Sequence, residues 1–206
     1  RSTTKKSTRN EKGVIYMAMK GHNRQGYCVL SINDPGDGSA ATETLGTGVL
    51  TNHVVTFTGS PGSEDTELYA GDVLEESESS PVGSVKVELS QLPLKDEAAL
   101  GGHTYSEDDG MTVGENDSAP YVRYAAIGVG VRKGVTFYRL VCYYKVKFGA
   151  PDDDFATKEK TVSYKTHSMS GTTFPNASGN VRFKQDYTTF EAALTKMKDL
   201  LNIKGD

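Results

Sequence analysis

Residues Pro81 to Tyr105, PVGSVKVELSQLPLKDEAALGGHTY, hold two periodicities side by side. Val85, Val87 and Leu89 alternate with Ser84, Lys86, Glu88 and Ser90, the period of two expected of a strand with one face on a core and the other in water. A helix is predicted directly afterwards. Pro93 suits a first helical position, where its missing N–H is not needed, Leu94 to Leu100 contains good helix formers, and Gly101-Gly102 supplies a left-handed stop. The flanking text reads as strands, so the expected fold is mainly β: a β-sandwich or partly closed β-barrel with a short helix after the central strand and a C-terminal α-helix.

Upstream, Arg1 to Lys12 is polar and basic without an apolar period and is predicted to be disordered, leaving 13–206 as a single domain. GVIYMAM and Gly26 to Ile32 flank Gly21-His22-Asn23 and predict a hairpin; Asn33 to Thr42 is turn chemistry, and Val49 to Thr58 predicts one further strand. Downstream, Tyr121 to Val131 and Val135 to Phe148 predict the clearest hairpin, turning at Arg132-Lys133-Gly134. Strict alternation in its second arm puts Leu140, Cys142, Tyr144, Val146 and Phe148 on one face. Phe137, Arg139, Val141, Tyr143, Lys145 and Lys147 fall on the other, an outward contact face by its basic ends. Val162 to His167, Gly171 to Phe174 and Val181 to Lys184 continue the sheet. Thr188, with Glu191 three residues on, predicts the cap of a helix over about 188–203 with Phe190, Leu194, Met197 and Leu201 on one stripe.

Composition narrows the function. The 206 residues are 36% hydrophobic, with 22 glycines, 11 tyrosines and no tryptophan, as suits many short strands and turns. Twenty-three basic against 27 acidic residues give a net charge of −4, so no global attraction draws the chain to nucleic acid or to an acidic membrane. Cys28 and Cys142 stand in apolar strand-like runs and read as buried thiols of a reducing compartment, a disulfide being the alternative. No run approaches a membrane span and no signal peptide is evident, so the expectation is a soluble protein made in the cytoplasm.

Charge is concentrated in two stretches. Gly59 to Ser80 holds seven carboxylates, Glu64, Asp65, Glu67, Asp72, Glu75, Glu76 and Glu78, and no lysine or arginine. Such like-charge density predicts an extended loop around a short Leu68-Tyr69 strand, read either as a solvated surface or as an interaction arm for a basic neighbour. Ser106 to Ser118 is a second acidic loop, but its consecutive Glu107, Asp108 and Asp109 lack the alternate spacing of a calcium loop. No G-x-S-x-G, phosphate-binding glycine loop, dinucleotide fingerprint or zinc spacing occurs, and His22, His53, His103 and His167 lie in unrelated contexts. The sequence therefore predicts no catalytic, cofactor or metal site.

The order of several short pieces resembles the major tail proteins of long-tailed bacteriophages, the tail-tube subunits of the phi13 type. The pieces are Glu67-Leu68-Tyr69-Ala70-Gly71-Asp72, Val85 to Leu89, Leu92-Pro93-Leu94, Leu100 to Tyr105, Glu115 to Val122 and Tyr143 to Phe148. The likeness covers roughly residues 66 to 174 and departs at Gly71, where relatives usually carry an acid. It implies a virion protein that forms hexameric rings stacked into a tube, meets tape-measure, terminator and distal tail proteins, and lets DNA pass without holding it. On that implication Glu64, Asp65, Glu67, Tyr69, Asp72, Glu75, Glu76, Glu78, Arg139, Lys145 and Lys147 are candidate inter-subunit contacts, and Ser84, Lys86, Glu88 and Ser90 candidate lumen residues. The competing expectation is a monomeric β-sandwich that binds carbohydrate or peptide, which would elute as a monomer rather than form rings.

Overall fold

The computed structural model describes residues 17–36, 41–51, 54–60, 62, 64–70, 73–80, 83–151 and 166–204. The predicted disordered arm, His53, Gly71, Asp72 and the segment 152–165 lie outside them.

The described chain is mainly β, with thirteen strands and two helices. In order they are β1 (Met17–Asn33), β2 (Thr42–Leu45), β3 (Val49–Thr51), β4 (Val54–Ser60), β5 (Glu64–Ala70), β6 (Val73–Ser80) and β7 (Gly83–Leu89). Then come α1 (Leu94–Gly101), β8 (Thr104–Ser106), β9 (Gly110–Thr112), β10 (Tyr121–Arg132), β11 (Val135–Phe148), β12 (His167–Phe174), β13 (Arg182–Tyr187) and α2 (Phe190–Leu200). The main antiparallel sheet runs β2-β1-β10-β11-β12-β7-β4, with β3 also on β1 and β13 also on β11, and it does not close.

The alternating strand of Pro81 to Tyr105 is β7, which lies between β12 and β4 in this sheet. Its burial alternates as predicted: Val85, Val87 and Leu89 are buried, while Ser84 and Lys86 are exposed. Pro93 ends the extended segment, α1 begins at the next residue, and Gly102 at φ 75° terminates it in the left-handed region that only glycine enters without strain.

A bulge in β11 decides the architecture. Val122 pairs with Val146 and Tyr124 with Tyr143, so Tyr144 and Lys145 together stand opposite Arg123. One extra residue reverses the side-chain parity beyond it. The face grouping predicted from strict alternation is therefore wrong: Leu140 and Cys142 join one core, whereas Val146 and Phe148 join the other. At the same point β11 changes neighbours, pairing with β13 over Tyr138–Tyr143 and with β12 over Lys145–Phe148. The second half of the sheet can thus fold back over the first. Phe57 of β4 stacks on Tyr124 of β10, centroids 5.9 Å apart and planes 8° apart, and tilts against Tyr143 of β11 at 6.3 Å.

Two cores result, one on each face of β10 and β11. The first, between the sheet halves, holds Tyr27, Val85, Val87, Leu89, Val122, Tyr124, Tyr143, Val146, Phe148 and Met169, with Leu100 of α1. The second lies beneath α2 and contains Cys28, Ala125, Ile127, Leu140, Cys142, Ala193, Met197 and Leu201. The α2 stripe is as predicted, but Thr189 rather than Thr188 caps the helix, its Oγ1 accepting the Ala192 N–H at 3.3 Å. Glu191 then falls at the second helical residue, too early for a reciprocal capping box.

Three other expectations change. The predicted hairpin about Gly21-His22-Asn23 is one strand, because β10 offers a continuous partner and register shifts at Met19/Gly21 and His22/Arg24 absorb the turn-forming residues. The single strand predicted over Val49 to Thr58 is two, β3 on β1 and β4 on β7, since the chain crosses here between the sheet halves. The β10–β11 turn is as predicted, with Lys133 at φ 50° and Gly134 at φ 80°, the paired left-handed residues that match the twist of a two-residue hairpin.

Candidate functional site

Three surfaces carry the chemistry that the cores leave outside. The first is the outer face of β12, β7 and β4. Register sets Ser168, Ser170 and Thr172 beside Glu88, Lys86 and Ser84, and these beside Thr56, Thr58 and Ser60. Seven of the nine positions are therefore serine or threonine, with one cation and one anion. Glu88 Oε2 accepts the Thr56 hydroxyl at 3.0 Å. Lys86 makes no ion pair among the described residues. Ser90, the fourth candidate lumen residue, lies exposed just past the strand.

The second surface is acidic. The segment predicted as a loop is a hairpin: β5 and β6 pair from Glu64↔Ser80 to Ala70↔Val73 and form a two-stranded sheet of their own. In chain order it lies between β4 and β7, whose last rung is Ser60↔Ser84. Dense negative charge is tolerated because of register. Glu64, Asp65 and Glu67 stand opposite Ser80, Ser79 and Ser77, while Glu76 and Glu78 stand opposite Leu68 and Thr66. Among the described residues no acidic position is paired with another in this register, the arrangement that would be destabilising. Glu75 falls at the register shift between Leu68 and Tyr69.

The third surface is cationic and lies on the β10–β11–β13 side of the first core. Arg139 grips Asp186 with both ends of its guanidinium, Nε at 2.6 Å and Nη2 at 2.8 Å, and Arg132 Nη2 adds a third contact at 3.0 Å. Both guanidinium groups lie over the Phe137 ring, at 5.2 and 5.3 Å from its centroid. The Arg139 bond holds the Asp186 carboxyl below its ordinary range, partly opposed by desolvation, with the two arginine charges assisting. Lys184, two residues along β13, has its pKa lowered by desolvation and then by Arg139 and Arg182. Beside this strip an open cleft of about 450 Å³ is lined by Arg132, Lys133, Phe137, Asp186 and Tyr187.

The bulge separates residues that alternation had grouped. Arg139 belongs to this strip, whereas Lys145 and Lys147 project on the α2 side of the sheet. There Lys145 Nζ lies 3.1 Å from Glu43 Oε1 and 4.7 Å from the Tyr121 ring centroid. Lys147 Nζ lies 5.8 Å from the same ring and 3.5 Å from Ser118 Oγ. Sequence reading missed Arg182, Lys184 and Asp186, although their spacing of two in RFKQD was the available signal.

The interior offers little reactivity. Burial pushes the Cys28 thiol up to about 11 and Cys142 up to about 12, against a smaller opposing pull from Arg123, and both are unpaired. His167 is exposed at the far end of β12, opposite Leu89. A buried polar chain ties β1 to its neighbours: the Tyr124 hydroxyl donates to Gln25 Oε1, and Gln25 Nε2 donates to Thr51 Oγ1 at 3.2 Å. Nearby, the Tyr27 hydroxyl donates to Asp96 Oδ1 at 2.7 Å and anchors α1. The cavity they border is about 10 Å³, room for one water. In the second acidic loop, Asp117 accepts both His103 Nδ1 at 2.8 Å and the Gly114 N–H at 2.9 Å, a local clasp. Among the described residues no three His, Cys, Asp or Glu side chains are grouped to hold a metal, and no helix is long and apolar enough to cross a membrane.

Neither a family model nor a curated protein matches the chain.

Proposed function

We propose that this protein is a self-assembling, non-enzymatic structural subunit, and that its assembly is a phage tail tube of stacked hexameric rings through which DNA passes. The observation that carries the proposal is the hydroxyl face of β12, β7 and β4. A conduit for a polyanion must not bind it. Each lysine or arginine that neutralises a phosphate releases a counterion and tightens binding, whereas serine and threonine contribute no such term. One lysine offset by one glutamate across nine positions suits a lumen better than a recognition surface. The order of motifs between residues 66 and 174 and an acidic hairpin that forms a sheet of its own support the same reading.

In this role the protein belongs to the virion, is made in the host cytoplasm, needs no cofactor and enters no membrane. Its partners are further copies of itself and the tape-measure, terminator and distal tail proteins. A monomeric carbohydrate- or peptide-binding domain is less well supported. Such domains present exposed aromatic platforms, but Tyr143 is wholly buried and Tyr144 is half-buried beneath the Arg123 guanidinium at 5.1 Å.

The test is direct. Purified protein viewed by negative stain is expected to form rings or tubes with a central channel. Glu88→Lys combined with Ser84→Lys is expected to leave assembly intact while slowing DNA ejection, an effect that fades as salt rises. Monomers at every concentration would overturn the assembly reading, and normal ejection at low salt would remove this face from the lumen.

A further inference from the structure

The acidic hairpin and the cationic strip are each incomplete alone. Two strands isolated from a larger sheet are marginally stable in water, and β5 and β6 pair with no other described strand. At roughly 3.3 Å per residue, the seven-residue β5 carries the hairpin about 23 Å along its length. It contains six carboxylates, Glu64, Asp65, Glu67, Glu75, Glu76 and Glu78, and no basic residue.

The strip has the opposite imbalance. Along it stand Arg132 and Arg139 over Phe137, Lys133 at the adjoining turn, Lys184 opposite Val141 and Arg182 over Tyr143, against Asp186 alone. Asp186 is already engaged by two arginines, and no carboxylate among the described residues lies within ion-pair distance of Lys184. β13 is also an edge strand: among the described residues it pairs only with β11. An edge left open with cations along it is protected against neutral or basic strands and open to an acidic one. Of the other edges, β4 is VVTFTGS and β3 is VLT, neither with a charge to select a partner, and β2 is TETL, whose one charge, Glu43, is already held by Lys145.

Resting on the assembly reading above, we propose that the β5–β6 hairpin of one copy docks on the β13 strip of a second copy. Its carboxylates meet Lys184, Arg182 and Lys133, and one of its strands lies along the open β13 edge. The contact joins two different surfaces, so it is head-to-tail and repeats from copy to copy. A contact of this kind produces rings or filaments rather than closed pairs.

Charge reversal in full-length protein tests the pairing, with sedimentation velocity and negative stain as readouts at low and high salt. One variant carries Glu67→Lys, Glu76→Lys and Glu78→Lys; the other carries Arg182→Glu and Lys184→Glu. Each alone is expected to raise the critical concentration for assembly at least about tenfold. An equimolar mixture should assemble again, because the basic hairpin of one variant fits the acidic strip of the other. Far-UV circular dichroism checks folding, and Lys133→Glu with Lys184→Glu replaces the strip variant should Arg182→Glu unfold it. If either variant alone assembles like the parent, or the mixture fails to assemble, the pairing is wrong while the tube reading stands. A parent protein that stays monomeric at all concentrations and salts overturns both.

Discussion

The hydroxyl face of β12–β7–β4 and the cationic strip of β10–β11–β13 belong to one antiparallel sheet and border the same core, yet their chemistry is opposite. On the first, hydroxyls dominate and the two charges cancel. On the second, five cations outnumber the single Asp186 and two of them cover an aromatic ring. The buried residues behind the two regions are similar in kind, mostly aliphatic or aromatic, although β7 turns them to the first core and β11 turns Leu140 and Cys142 to the second. Burial fixes the fold, and the outward half of each strand is left to be chosen for what it repels or attracts.

The comparison depends first on β7 facing as described. Val87→Asp would bury an unpaired carboxylate in the core beneath the hydroxyl face, at a cost of several kcal/mol or about half the stability of a typical domain. The expected outcome is loss of soluble protein, read from fractionated expression. Soluble, folded Val87→Asp would mean that the two faces of β7 are exchanged.

A smaller change sharpens the contrast from the other side of the sheet. Met197 is fully buried in the α2 core. Met197→Ala should cost about 2–4 kcal/mol through lost transfer energy and the cavity left behind, seen as a lower denaturant midpoint. The parent cationic cleft and hydroxyl face should both persist. Should this variant also lose ion-pair signatures of the strip, the two faces are coupled more tightly than separate cores allow.

The mildest change acts on the strip itself. Asp186→Asn removes the only carboxylate among the five cations, and because the pair is substantially exposed the loss should be at most about 1 kcal/mol. Its pH dependence identifies it. Arg139 lowers the folded pKa of Asp186, so the stabilisation is fully present above the ordinary carboxylate value of 3.8 and is lost as pH falls through the lower folded value. Parent and variant should differ near neutrality and converge in strong acid in paired denaturation curves. A constant difference across that range would assign the effect to packing instead.

Much of this was legible because it is local. The alternation in Val85–Leu89, the proline and glycines around α1, the two-residue turn at Lys133-Gly134 and the apolar stripe of α2 each depend on near neighbours and on backbone stereochemistry. The main errors were also of one kind. Gly21-His22-Asn23 has turn chemistry, but β10 supplies a long partner and bulges absorb it. Gly59 to Ser80 has loop chemistry, but serine or threonine opposite four of its carboxylates and Leu68 opposite a fifth let a hairpin form.

By itself the sequence determined a mainly β domain with a central amphipathic strand, a following short helix, a C-terminal helix and a sharply acidic segment, because periodicity and charge are written along the chain. Tertiary structure alone decided that Arg139 and Lys145 lie on opposite sides of the sheet, that hydroxyls from β4 and β12 complete the face of β7, and that Arg182 and Lys184 join Arg139. The physical reason is that a single bulged residue reverses every later side chain of a strand, and that neighbours in a sheet are chosen by long-range register, which no local window contains.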